Sequence, residues 1–161
     1  MIFGIGSPIL NTVQVLKIDL SGFPFDYGTA VSNPTASEGS RSFRLDNQSA
    51  FIVRRWAIDK VVFENRNEER CDYLIEVQNP KKTIYYWIEL KGKDIIKACR
   101  QITSCIDLIN VSEDIRQHAR IITSGTNQLE IRSNDYSKLK LRMKKTGGHL
   151  KTYTNYGSEI I

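Results

Sequence analysis

From Thr83 to Leu90 the chain runs through β-branched, aromatic and apolar residues with neither Gly nor Pro, which predicts a buried strand over 83–91. Side chains on a strand alternate faces, so Ile84, Tyr86, Ile88 and Leu90 point one way and Tyr85, Trp87, Glu89 and Lys91 the other. A second short strand, 71–77, precedes it across a polar connection whose Asn79-Pro80 step is a turn signal, and together they predict a hairpin. After Gly92 the period becomes helical. Ile95, Cys99, Ile102, Ile106 and Ile109 form a core-facing stripe widened by Ala98 and Cys105, with Asp94 placed to cap it.

Residues 118–124 read as a buried strand stopped by Gly125, and a strand, helix, strand succession predicts that it runs parallel to 83–91. Asn134 or Asp135 caps a further helix to Lys145, with Tyr136, Leu139 and Met143 at helical spacing and Gly147 as its stop, although Lys138 to Lys144 also alternates in strand fashion. Leu150 to Asn155 supplies a last strand. Toward the N-terminus, 9–20 alternates as an early strand, 50–57 reads as strand or as a short helix capped by Asn47, and 58–63 reads as strand from its β-branched residues. Gly22, Pro24, Gly28, Pro34 and Gly39 mark about 21–45 as a long loop, whose Phe23, Phe25 and Tyr27 either pack it over the core or make it a lid or substrate-contacting loop. The expected fold class is α/β, with consecutive antiparallel strands 58–63, 71–77 and 83–91 in a mixed central β-sheet flanked by helices.

With 161 residues, 40% hydrophobic and 25% charged, the chain suits one domain over 1–161 with a real core. No apolar run spans a bilayer and the start lacks a signal-peptide pattern, so the expectation is a cytoplasmic protein without a membrane. Three cysteines, Cys71, Cys99 and Cys105, fall inside expected elements and read as reduced core thiols. His118 and His149 are far apart in sequence and read as surface or capping residues rather than ligands. Gly-rich phosphate loops, Gly-x-Ser-x-Gly and internal repeats do not occur, which removes several common enzyme classes.

The chemistry gathers at the end of the 83–91 strand. Glu89 and Lys91 share a face, and the simplest hairpin register brings Asp72 close to both. Two carboxylates suit a hard divalent cation, Mg²⁺ or Mn²⁺, and a lysine beside them can orient water or stabilise charge on a phosphate. Asp59 is either a further ligand or a surface residue. A bare Glu-x-Lys is unspecific; its setting, strand before and Gly and helix after, carries the weight.

Asp72, sixteen intervening residues, Glu89-Leu90-Lys91 on a hydrophobic strand and then a helix carrying Gln101 resemble the PD-(D/E)xK phosphodiesterase superfamily, over about 58–124. The resemblance implies a restriction endonuclease-like core. It implies that Asp72, Glu89 and the carbonyl of Leu90 hold the metal, that Lys91 handles the water and that Gln101 lines the site. The chain departs from the pattern at Cys71, where a Pro often stands, and lacks a clear upstream helix with an additional Glu. The implied activity is metal-dependent hydrolysis of nucleic-acid phosphodiesters, DNA ahead of RNA. The alternative is an inactive nuclease-fold module that binds nucleic acid or protein, such as a phage or toxin–immunity partner. The formal charge of +5 suits a polyanionic partner, and Lys138, Lys140, Arg142, Lys144, Lys145 and Lys151 are the expected phosphate contacts. The sequence does not fix the oligomeric state and is compatible with a dimer.

Overall fold

The structure is a computed structural model that describes residues 17–63, 67–125 and 128–161. Its centre is the strand that the sequence marks most clearly, Ile84–Leu90 (β6 in chain order), in which all seven residues are buried. Before it come β1 (Asp26–Ala30), β2 (Thr35–Glu38), β3 (Arg41–Asp46), β4 (Ile52–Ala57) and β5 (Tyr73–Gln78). After it come α1 (Ile95–Leu108), β7 (Arg116–Thr123), α2 (Gln128–Ile131), α3 (Asn134–Lys145), β8 (Leu150–Thr154) and β9 (Tyr156–Ile160).

Six strands form one sheet in the order β1-β4-β5-β6-β7-β8, and β2-β3-β9 form a second. The large sheet is mixed: β4, β5 and β6 run antiparallel in turn, whereas β7 is parallel to β6 and β8 is parallel to β7. Helices α1 and α3 cover one face. Tyr85, Trp87 and Ala119 join Ile95, Cys99, Ile102, Leu139 and Met143 there in one apolar cluster. The small sheet covers the other face, where Ile84, Tyr86, Ile88 and Leu90 meet Phe43 and Leu45 of β3. The strand alternation read from sequence thus separates two cores, one against helices and one against strands.

The α1 stripe forms as expected, with the Asp94 side chain accepting from the Lys97 N–H at 2.8 Å. The cap of α3 is Ser133 rather than the expected Asn134 or Asp135, and its hydroxyl accepts from the Tyr136 N–H. Gly147 follows α3 at φ +79°, the left-handed conformation that ends helices. A Cβ on Gly148 would stand 1.8 Å from the carbonyl oxygen of Gln117, so only glycine allows the chain to pass β7 on its way into β8. The three cysteines are buried and free.

Three expectations are corrected. The 21–45 stretch is not a loop but β1, β2 and β3, because its glycines serve the strands: Gly28, at φ +76°, lies at a bulge in β1, and Gly39, at φ +57°, opens the two-residue turn of the β2–β3 hairpin. The 58–63 stretch is not a strand. The Ile58 N–H still donates to the Asp72 carbonyl at 2.9 Å, but Ile58–Val62 then winds into a single π-helical turn that buries Ile58, Val62 and Phe63. Tertiary burial overrides β propensity there, and β4 takes the place expected for 58–63 beside β5. Finally, the strand expected over 9–20 lies outside the described residues as far as residue 16; beyond it Ile18 makes one parallel bridge to Ile109, and Leu20–Gly22 is a 3₁₀ turn.

Candidate functional site

The β5–β6 register pairs Tyr73 with Ile88, which sets Asp72, one residue before β5, across from Glu89 at the end of β6. Both lie on the helix-covered face, in line with Leu74 and Trp87. One oxygen of Asp72 accepts from the Leu90 N–H at 2.7 Å. Glu89 is only 2% exposed, and one of its oxygens lies 3.8 Å from Lys91 Nζ. Its other oxygen, Oε2, is buried without a hydrogen-bond partner.

Electrostatics follow from that burial. Loss of water raises the Asp72 carboxyl to about 6, opposed by the Leu90 N–H and Lys91 and reinforced by Glu38 and Asp59. Burial, with the neighbouring Asp72 carboxylate, pushes Glu89 up to about 9, and Lys91 offsets only part of it. Burial and the Asp72 carboxylate therefore favour the protonated form of Glu89 when no metal ion is beside it. Burial also raises the Cys71 thiol strongly, so it is an inert neighbour of the pair rather than a nucleophile.

Gln101 projects from α1 as expected, its amide donating to the Arg70 carbonyl at 2.7 Å while its Oε1 is buried and unpartnered. A cleft of about 390 Å³ opens here, lined by Asp59, Asn67, Arg70, Asp72, Lys97 and Gln101. Asp59, on the π-helical turn, is bound to Arg70. Lys97 is a cleft residue that the sequence reading passes over. Its signal is its spacing, since it stands four residues before Gln101 and so on the same side of α1. Glu38, which raises the Asp72 pKa from β2, has no signal in the sequence, because only the second sheet brings it near.

The expected phosphate contacts are scattered. Lys138, Lys140, Arg142, Lys144 and Lys145 lie along α3 and Lys151 on β8. Arg142 is paired with Asp107 at 2.6 Å, and Lys151 with Glu159 at 3.1 Å. Thr146, just after α3, bonds Gln117, which is registered with Tyr85. Lys144 and Lys145 therefore reach the end of β6 away from Glu89, four residues or roughly 13 Å along the strand.

His118 and His149, expected as surface or capping residues, are in contact, and His118 is buried: their ring centroids are 4.4 Å apart, and His118 stacks on Tyr86 at 4.8 Å. Parallel pairing of β7 with β8 brings them together, a long-range event with no local signature.

Fold and site together define a mixed-sheet α/β protein in which a buried glutamate and a lysine at the end of the central strand meet a half-buried aspartate of the neighbouring strand. Comparison with protein-family models, curated proteins and solved structures found no match to the chain. Among the described residues no helix is long and apolar enough to cross a membrane, and no group of three or more His, Cys, Asp or Glu side chains could hold a metal ion.

Proposed function

We propose that this chain has a restriction endonuclease-like core of the PD-(D/E)xK superfamily and hydrolyses nucleic-acid phosphodiesters with Mg²⁺ or Mn²⁺, with DNA the preferred substrate. Glu89 carries the reading. A carboxylate oxygen buried without a partner, facing a second carboxylate, is costly unless a cation joins them. The donor set is oxygen-rich and hard, as Mg²⁺ and Mn²⁺ require. Asp72 and Glu89, with the Leu90 carbonyl, would hold the ion, and water would fill its remaining positions. The ion would supply Lewis acidity toward a phosphate oxygen and acidify a bound water. Lys91, next to Glu89, orients that water or stabilises charge on the phosphate, and Gln101 lines the cleft beside Asp72.

A second reading has its own observation. One Asp72 oxygen is already committed to the Leu90 N–H, and burial favours the protonated form of Glu89, an arrangement that also suits an inactive nuclease-fold module binding nucleic acid or protein. Incubation of the purified protein with plasmid, single-stranded DNA and RNA, in Mg²⁺, Mn²⁺ or EDTA, separates the two. Cleavage that requires metal and disappears in Lys91→Ala supports the nuclease; intact substrates under every condition leave the module.

A further inference from the structure

On the face of the large sheet opposite α1 lies a groove of about 930 Å³, whose walls include Arg44, Arg116, His118, His149, Lys151 and Glu159. It is distinct from the carboxylate site. Arg116 and His118 stand at the start of β7, registered with Ile84 and Tyr86, whereas Glu89 is at the other end of β6 and points to the helices. We propose that this groove binds the phosphate group of a nucleotide-sized ligand.

The charges and hydrogen-bond donors support this. Arg120 is fully buried beside the groove, its guanidinium donating to both Glu159 oxygens at 2.8 and 2.7 Å and to the Ala119 and His149 carbonyls, with His149 Nε2 at 3.1 Å. Glu159 also accepts from Tyr153 at 2.6 Å and pairs with Lys151, so its negative charge is fully engaged. The other carboxylate in the groove, Asp46, accepts from Gln48. Of the cations, Arg120 behind the groove and Lys151 in its wall are both committed to Glu159, which leaves Arg44 and Arg116 as the cations facing the groove. Arg44 and Arg116 make no ion pair among the described residues; Arg44 only lies 6.0 Å from the Tyr156 ring.

The imidazoles add neutral donors. His118 Nδ1 accepts from the His149 N–H at 3.2 Å, which leaves the ring proton on Nε2. That N–H has no protein partner among the described residues, and the side chain lines the groove. His149 Nε2 accepts from Arg120, so its own N–H is on Nδ1. Burial and Arg120 keep His118 neutral, its pKa lowered to about 3. A ring N–H without a protein partner, in a groove that the exposed Arg44 and Arg116 also line, offers donors to a tetrahedral oxyanion with several acceptor oxygens, and two arginines without an ion pair favour phosphate over a single carboxylate. The volume exceeds that of inorganic phosphate, and Phe51 and Ile84 give an apolar wall for the remainder of the ligand.

The test uses the intact protein, its histidine ring nitrogens followed by ¹⁵N NMR at constant ionic strength. Inorganic phosphate and adenosine 5′-monophosphate are expected to shift the His118 Nε2 signal in a saturable way, and adenosine is not. Arg44→Gln with Arg116→Gln should weaken adenosine 5′-monophosphate binding about tenfold or more, with the fold checked by circular dichroism. If an unphosphorylated oligonucleotide displaces the nucleotide, the phosphate source is a nucleic-acid backbone; if it does not, the source is a free nucleotide. A His118 signal that tens of millimolar phosphate does not move, or that chloride moves equally, would overturn the proposal whether or not the double variant folds. Since the groove is remote from Glu89, its failure leaves the nuclease reading untouched, and loss of cleavage leaves the groove untouched.

Discussion

Asp72 faces Glu89 across the β5–β6 register, and the same Asp72 carboxylate accepts the N–H of Leu90, the residue between Glu89 and Lys91. One side chain thus ties the open end of the hairpin and places its carboxylate beside the buried carboxyl of Glu89.

Asp72→Asn removes a charge and keeps an acceptor for the Leu90 N–H, so the metal-free variant should melt at or slightly above the wild-type temperature. Asp72→Ala leaves that N–H unpaired and should cost about 1–3 kcal/mol. Mg²⁺ or Mn²⁺ should raise the wild-type melting temperature and lose that effect in Asp72→Asn. Thermal melts across a metal titration decide it; identical metal responses would sink the carboxylate site.

Glu89 gives a pH dependence of defined sign. Its folded pKa, about 9, is above the ordinary glutamate value of 4.5, so folding favours the protonated form. The stabilisation is complete below about pH 4.5 and is lost as pH rises toward 9. Glu89→Gln should flatten that decline in the metal-free protein, as should saturating Mg²⁺ in the wild type if the ion binds here. Denaturant unfolding at intervals from pH 5 to 9 measures it, and an unchanged slope in Glu89→Gln would refute the assignment.

His118 acts in the opposite direction at acid pH. Its folded pKa of about 3 is below the ordinary 6.5, so the neutral ring stabilises the fold above pH 6.5 and that contribution disappears as pH falls toward 3. His118→Gln should reduce the acid sensitivity between pH 6.5 and 4, read from urea midpoints at each pH.

Arg120 and Glu159 tie the large sheet to β9 of the small one. Glu159→Ala would strand a guanidinium that is 0% exposed, at a cost of about 3–5 kcal/mol. Arg54→Ala, at the more exposed Arg54–Glu76 pair, should cost less than about 1 kcal/mol. Equal losses in the two variants would show that the buried clasp contributes nothing special.

If α3 contacts phosphates, Lys144→Ala with Lys145→Ala should make log K against log salt shallower by roughly 0.9 for each phosphate no longer neutralised. Both lysines are exposed and unpaired with carboxylates among the described residues, so the effect should reach DNA binding without loss of melting temperature. An unchanged slope would return them to a solvated helix face.

Elements whose period is strong and local were legible from the residues alone: β6, the β5–β6 hairpin, α1 with its Asp94 cap, and the parallel step to β7. So was the shared face of Asp72, Glu89 and Lys91, because strand alternation and a short turn leave little freedom. Long-range packing decided the rest. The apolar residues of 58–63 could be buried in a strand or a turn, and packing under β5 selected the turn. The glycines of 21–45 resembled breakers until pairing with β4, and between β2 and β3, supplied partners for the backbone. Glu38 beside Asp72, His118 against His149, and Arg120 clasped to Glu159 are contacts between distant segments. Their physical origin is the order in which strands pair and sheets stack, which no window of the sequence contains.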